Sequence, residues 1–118
     1  MKSKIKIKIR NCDIEVETKR HLSPEIIRKI FRLLPMESYA YQKEEDLFIK
    51  LDLGLGARQK VSDLDKGDMF YNIEQSSLGI TNNSRKANTK EIKIGRVTKG
   101  MKHIKKFDGI IIVKILVV

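Results

Sequence analysis

From Ser3 to Arg10 the sequence SKIKIKIR alternates without a break, with Ile5, Ile7 and Ile9 on one side and Lys4, Lys6, Lys8 and Arg10 on the other. A period of two is the repeat of an extended strand with one dry face and one wet face, and β-branched isoleucine suits a pleated surface. The composition of the same stretch is that of a tail gripping nucleic acid or a membrane. Its periodicity says instead that the run is folded, with its isoleucines in a core and its lysines on an outer face, where they also discourage pairing with other chains.

The pattern continues along the chain. NCD reads as a tight turn, and Ile14 and Val16 then alternate with Asp13, Glu15 and Glu17 as the second arm of a hairpin, placing acids opposite the lysines of the first arm. SPEIIRKIFRLLP is the clearest helix: Ser23 suits the N-cap, Pro24 the first helical position and Glu25 the positive end of the dipole. Ile26, Ile27, Ile30, Phe31, Leu33 and Leu34 form its apolar stripe, Arg28, Lys29 and Arg32 face water, and Pro35 stops it. SYAYQKEEDLFIKLDL reads as two strands around the acidic turn from Lys43 to Asp46, with Leu47, Ile49, Leu51 and Leu53 out of phase with Phe48, Lys50 and Asp52. A strand follows the turn at Lys66 and Gly67, a short one is SSLGIT, and NNSRKANTK is a polar loop. EIKIGRV alternates as a strand, and Met101, Ile104 and Phe107 recur at steps of three in a short helical turn. GIIIVKILVV, apolar on both phases, predicts a central strand covered on both faces. Seven or eight short strands with one good helix and one short one predict a β-barrel or sandwich with helical covers.

The chain has 118 residues and a formal net charge of +10. That length fits one domain, 1–118, with a core that needs no disulfide or metal. A single cysteine, Cys12, excludes an internal disulfide and points to a reducing compartment. With no apolar stretch of the ~18–20 residues that span a bilayer, a soluble cytoplasmic protein without membrane partners is expected. Residues 1–22 hold seven Lys/Arg against three Asp/Glu, residues 92–118 hold seven against one, and the middle holds eleven of each. If the two ends are neighbours in space, Lys4, Lys6, Lys8, Arg10, Lys93, Lys99, Lys102, Lys105, Lys106 and Lys114 make one basic face, and such a face attracts phosphates.

Motifs for chemistry are sparse. His21, His103 and Cys12 are too dispersed for metal ligation, and DLDKGD lacks the ligand ladder and closing glutamate of a calcium loop, so no metal and no cofactor are expected. GLGARQ lacks the spacing and the Lys-Ser/Thr ending of a phosphate-binding loop. Nucleic-acid binding would combine the basic face with stacking aromatics, for which Phe48, Tyr39, Tyr41 and Tyr71 are the candidates.

The second half resembles the cyclophilins, and more closely the short archaeal and bacterial cyclophilin-like proteins of uncharacterised role. GDMFYN, IEQS, SLGIT and EIKIGRVTKGMKHIKKFDG follow one another in that family's order, with Gly95, Gly100 and Met101 in matching places. The first half suits the same short group, with its hairpin, its helix ending in Leu-Pro and its strand after an acidic turn. The resemblance implies a mainly β fold, a closed eight-stranded antiparallel barrel capped by one good helix and one short helix, with first and last strands adjacent.

It also implies where to look for function. The family's asparagine falls on Asn72, its glutamine on Ser77 and its pocket phenylalanine on Gly79, and the segment carrying the catalytic arginine has no counterpart. The expectation is a barrel that binds a peptide or small ligand, without catalysis, in a groove at Tyr71, Asn72, Ser77, Gly79, Thr81 and Asn82, beside Arg85. Two alternatives stand beside it: a peptidyl-prolyl isomerase using Arg58 or Arg85, and a nucleic-acid binder using the basic face.

Overall fold

The computed structural model describes residues 4–19, 21–55, 63–104 and 108–118. Its strands are β1 (Lys4–Ile9), β2 (Cys12–Thr18), β3 (Met36–Lys43), β4 (Asp46–Lys50), β5 (Asp63–Leu64), β6 (Asp68–Asn72), β7 (Ser77–Thr81), β8 (Arg85–Lys86), β9 (Glu91–Lys99) and β10 (Ile111–Val117). One helix, α1 (Pro24–Leu33), and a single 3-10 turn at Met101–His103 complete the described elements. Eight strands close an antiparallel barrel in the order β1-β10-β3-β4-β7-β6-β9-β2, and β5 and β8 form a separate two-stranded ribbon. No helix among the described residues is long and apolar enough to cross a membrane.

The period-two segments explain the barrel's inside and outside. Ile5, Ile7, Ile14, Val16, Leu47, Ile49, Met69, Leu78, Ile80 and Ile115 are all buried in one core, and residues one step out of phase face away from it. Ile26, Ile27 and Ile30 of α1 join this core. Lys4, Lys6 and Lys8 stand opposite Glu17, Glu15 and Asp13, as the hairpin pattern anticipates. First and last strands pair, Ile5 with Val117 through Ile9 with Val113, so the chain's ends are neighbours.

Several local expectations are corrected. The β1–β2 turn is Arg10 and Asn11, with Arg10 at a φ of 55° and Cys12 already paired with Ile9. Ser23 occupies the N-cap of α1, but its hydroxyl donates to the Leu22 carbonyl oxygen at 2.7 Å and caps nothing. Leu33, placed in the apolar stripe, is 45% exposed. The largest departure is β10, which is covered on one face only: Val113 and Ile115 are buried, whereas Ile112 is 65% exposed. In a closed barrel every strand has one outward face, and on β10 that face holds the exposed Ile112 and Lys114 and the half-buried Leu116. The loop NNSRKANTK contains β8, which pairs Arg85 with Leu64 and Lys86 with Asp63. Phe107 lies outside the described residues.

Candidate functional site

The outer face of β4, β7 and β6 carries a second, smaller core. Phe48, one step out of phase with Leu47 and Ile49, points outward, as does Phe70 on β6, and the two rings meet edge to face at 5.9 Å between centroids. Leu64 of β5 and Ala87, just after β8, close over them. The ribbon is therefore a lid of two-residue strands held on the barrel's outside by four buried side chains. Gly79 sits beneath the Phe70 ring, and a Cβ there would overlap it. The position where the resemblance places a pocket phenylalanine is thus occupied by a phenylalanine from the neighbouring strand.

Beside this patch a cleft of about 310 Å³ opens between the β3–β4 turn, the β6–β7 turn and the ribbon. Its lining includes Asp46, Phe48, Asn72, Gln75, Arg85 and Glu91. Arg85 organises it. Nη1 donates to Glu91 Oε1 and Nη2 to Glu91 Oε2, each at 2.7 Å, a bidentate pair, and Nη2 also donates to Asp46 Oδ2 at 2.7 Å. The guanidinium lies 5.5 Å from the Phe70 ring centroid. Its bonds to Glu91, and then to Asp46, push Arg85 above its already high ordinary pKa against the opposing effect of burial, so it is cationic throughout the range in which proteins fold.

The walls are held by turn chemistry. Gln75 N–H donates to Asn72 Oδ1 at 2.9 Å, fixing the β6–β7 turn, and the Tyr41 hydroxyl donates to Gln75 Oε1 at 2.9 Å. Asn88 N–H donates to Glu91 Oε1 at 3.0 Å, tying the chain after β8 to the head of β9.

The groove residues named from the sequence fall in several places. Asn72 and Arg85 line the cleft. Tyr71 is inside the barrel: its hydroxyl donates to the Leu51 carbonyl oxygen at 2.7 Å and accepts from Leu53 N–H at 3.0 Å, and burial raises its pKa. Ser77 and Thr81 face outward but are fully buried, with hydroxyls donating to the Gln75 and Asn83 carbonyl oxygens. Asn82 N–H donates to the Glu45 carbonyl oxygen at 3.1 Å, joining the end of β7 to the β3–β4 turn. Arg58, Lys105 and Lys106 lie outside the described residues. The cleft's two buried acids, Asp46 and Glu91, carry no signal in the sequence beyond that of a turn residue and a strand start. Asp46 is 39 positions from Arg85, and no local pattern joins them.

Strand order divides the described basic residues, although Lys8 stands opposite Lys114 across the β1–β10 pair. β2 lies between β1 and β9, so Asp13, Glu15 and Glu17 separate Lys4, Lys6 and Lys8 from Arg96 and Lys99. Lys93 binds the buried Asp68 carboxylate at 2.9 Å. Arg10 and Lys102 are exposed, and Lys114 is 4.0 Å from Glu37.

No protein-family model matches the chain, and no curated protein does. Among solved structures the chain is similar to the solution structure of a hypothetical protein from Archaeoglobus fulgidus, with a TM-score of 0.76, 18% identity, and coverage of 99% of this chain and 95% of that one. At that identity the likeness establishes the fold alone, a closed eight-stranded antiparallel barrel.

Proposed function

We propose that the chain is a cyclophilin-like barrel that binds a peptide or small polar ligand in the cleft above Arg85, without isomerising it. The observation that carries this reading is the 310 Å³ cleft itself, on the barrel's outer face, with a fixed cation and two buried carboxylates in its wall. Binding sites with preorganised polar groups need no catalytic residue to select a ligand. The cyclophilin-like assignment draws on the adjacency of β1 and β10 and on Gly95, where a side chain would overlap the Glu17 carbonyl oxygen of β2.

Isomerisation of an X-Pro bond crosses a barrier of ~18–20 kcal/mol and calls for an arginine free to hold the carbonyl beside an apolar pocket. Arg85 is engaged by two carboxylates, and the Phe70 ring fills the space at Gly79. The expected result of a protease-coupled assay on a proline peptide is the uncatalysed rate. Titration of the labelled protein with short blocked peptide amides should move amide resonances near Asp46, Asn72, Gln75 and Glu91 before others. Isomerase acceleration lost in Arg85→Ala, or peptide shifts confined to another face, would overturn the reading.

A further inference from the structure

The outer face of β10 joins exposed apolar side chains to a pair of like charges. Its outward positions are Ile112, Lys114 and Leu116, and the neighbouring strands set Tyr39 opposite Ile112, Lys6 opposite Leu116, and Lys8 and Glu37 on either side of Lys114. Ile112 is 65% exposed and Tyr39 is 37% exposed, so a partner that covers them gains hydrophobic free energy. Beside Leu116 an open recess of about 440 Å³, lined by Pro35, Met36, Glu37, Lys114 and Leu116, can admit an incoming side chain. Between these two apolar features stand the like charges. Lys8 and Lys114 are directly opposite each other and both exposed, a pairing that disfavours the sheet. Their acids lie on the far sides. Glu37 is 4.0 Å from Lys114 with both side chains more than half exposed, a pair that contributes little, and the Asp13 carboxylate lies 4.0 Å from Lys6. Across four strands the row reads Asp13, Lys8, Lys114, Glu37: acid, two cations, acid.

The spacing selects the occupant. Ile112, Lys114 and Leu116 are successive outward positions, about 6.6 Å apart at a rise of ~3.3 Å per residue, and alternate side chains of any extended segment repeat at that distance. We propose that this face docks an extended segment of another protein, with a carboxylate placed between Lys8 and Lys114 and an apolar side chain two positions away on either side. One apolar side chain covers Ile112 and Tyr39, and the other enters the recess at Leu116. Other occupants fit less well. A second copy laid face to face sets these two cations against their own kind and brings together two chains of +10. A bilayer suits an apolar patch whose cations stand at its rim and reach the headgroups, whereas here they stand in its middle. A free fatty acid has its carboxylate at one end and covers one side only. A nucleic acid brings a row of phosphates against Asp13 and Glu37, whose charges select a single carboxylate over several. The face shares no lining residue with the cleft at Arg85.

The test titrates three blocked pentapeptide amides into the labelled full chain. The first has leucine at both ends, glutamate in the middle and threonine between. The second replaces the glutamate by glutamine, and the third exchanges the glutamate with one terminal leucine. The glutamate-centred peptide is expected to bind about fivefold more tightly than either of the others, the worth of an exposed carboxylate between two lysines. It should move the amide resonances of Lys8, Tyr39, Ile112 and Lys114 before others. Lys8→Gln together with Lys114→Gln should reduce it to the affinity of the glutamine peptide without weakening the latter. Ile112→Thr, an exposed site that keeps its strand propensity, should weaken both. Binding of the glutamine peptide or of the end-placed glutamate as tightly as the first overturns the inference, as does silence of the face. None of these outcomes bears on the cleft at Arg85, whose own resonances report on that reading. Shifts of the same residues on dilution without peptide assign the face to a second copy, and cosedimentation with phosphatidylserine vesicles while the peptides stay silent assigns it to lipid. Either result overturns the docked segment.

Discussion

At the scale of single residues, the outer patch turns on what Gly79 makes room for. Phe70 is fully buried, wedged edge-on against Phe48 and beneath Arg85, so its ring has no open space into which to retreat. Gly79→Ala is therefore expected to destabilise the fold by about 1–3 kcal/mol, the range for an overpacked site. Phe70→Leu alone should also destabilise, by loss of packed surface. Combined with Gly79→Ala it should cost less than the two changes summed, because the smaller side chain leaves room for the methyl. Urea unfolding of the four species measures this coupling, and strictly additive losses would mean that the ring is not what holds position 79 to glycine. Gly79 is thus legible in the sequence as a departure from the cyclophilin pattern, while its reason, a ring from the next strand, is visible only in the pairing of Phe70 with Gly79.

At the scale of elements, what could be read from the sequence tracks length and period. β1 and β2 are six and seven residues of strict alternation, and their hairpin, its cross-strand charge pairs and their buried faces follow from that pattern. The ribbon is illegible for the opposite reason: β5 and β8 have two residues each, too short for any period, and they sit in stretches whose composition is that of turns. β10 misleads through an excess of the expected signal, since its outward positions hold Ile112 and Leu116 where alternation would call for polar residues. The ribbon's brief pairing has an energetic consequence. It is fastened by Leu64, Ala87 and the ion pairs of Arg85, with no barrel strand beside it, so it should open as a unit without unfolding the barrel. Leu64→Ala removes a fully buried side chain and is expected to lower the opening free energy of the ribbon by about 2–3 kcal/mol. Native-state hydrogen exchange should show faster exchange around Arg85 and Lys86 with β1 and β10 unchanged, and an equal loss of protection in the barrel strands would show the lid and barrel to be one cooperative unit.

At the scale of the whole molecule, net charge and charge arrangement point to different partners. A surplus of +10 on 118 residues attracts polyanions from a distance, but affinity at contact depends on how many phosphates meet cations at once. Barrel closure does bring the two basic ends together, β1 beside β10, yet it also inserts the acidic β2 between β1 and β9. The outer surface is consequently striped: Arg96 and Lys99, then three acids, then three lysines, then Lys114 with apolar neighbours. Of the aromatics considered for base stacking, Phe48 and Tyr71 are buried, leaving Tyr39 exposed and Tyr41 half-buried. Among the described residues, phosphates that follow the β1 lysines also approach Asp13, Glu15 and Glu17 on the neighbouring strand. Binding of a labelled DNA duplex, measured across salt concentrations, is therefore expected to be weak and to give a log–log slope no steeper than about −3, against roughly −5 to −9 for a face engaging six to ten phosphates. A steep slope that collapses when Lys4, Lys6 and Lys8 are changed together to glutamine would make the β1 stripe a nucleic-acid contact after all, and would move the search for function from the acidic cleft to the opposite charge.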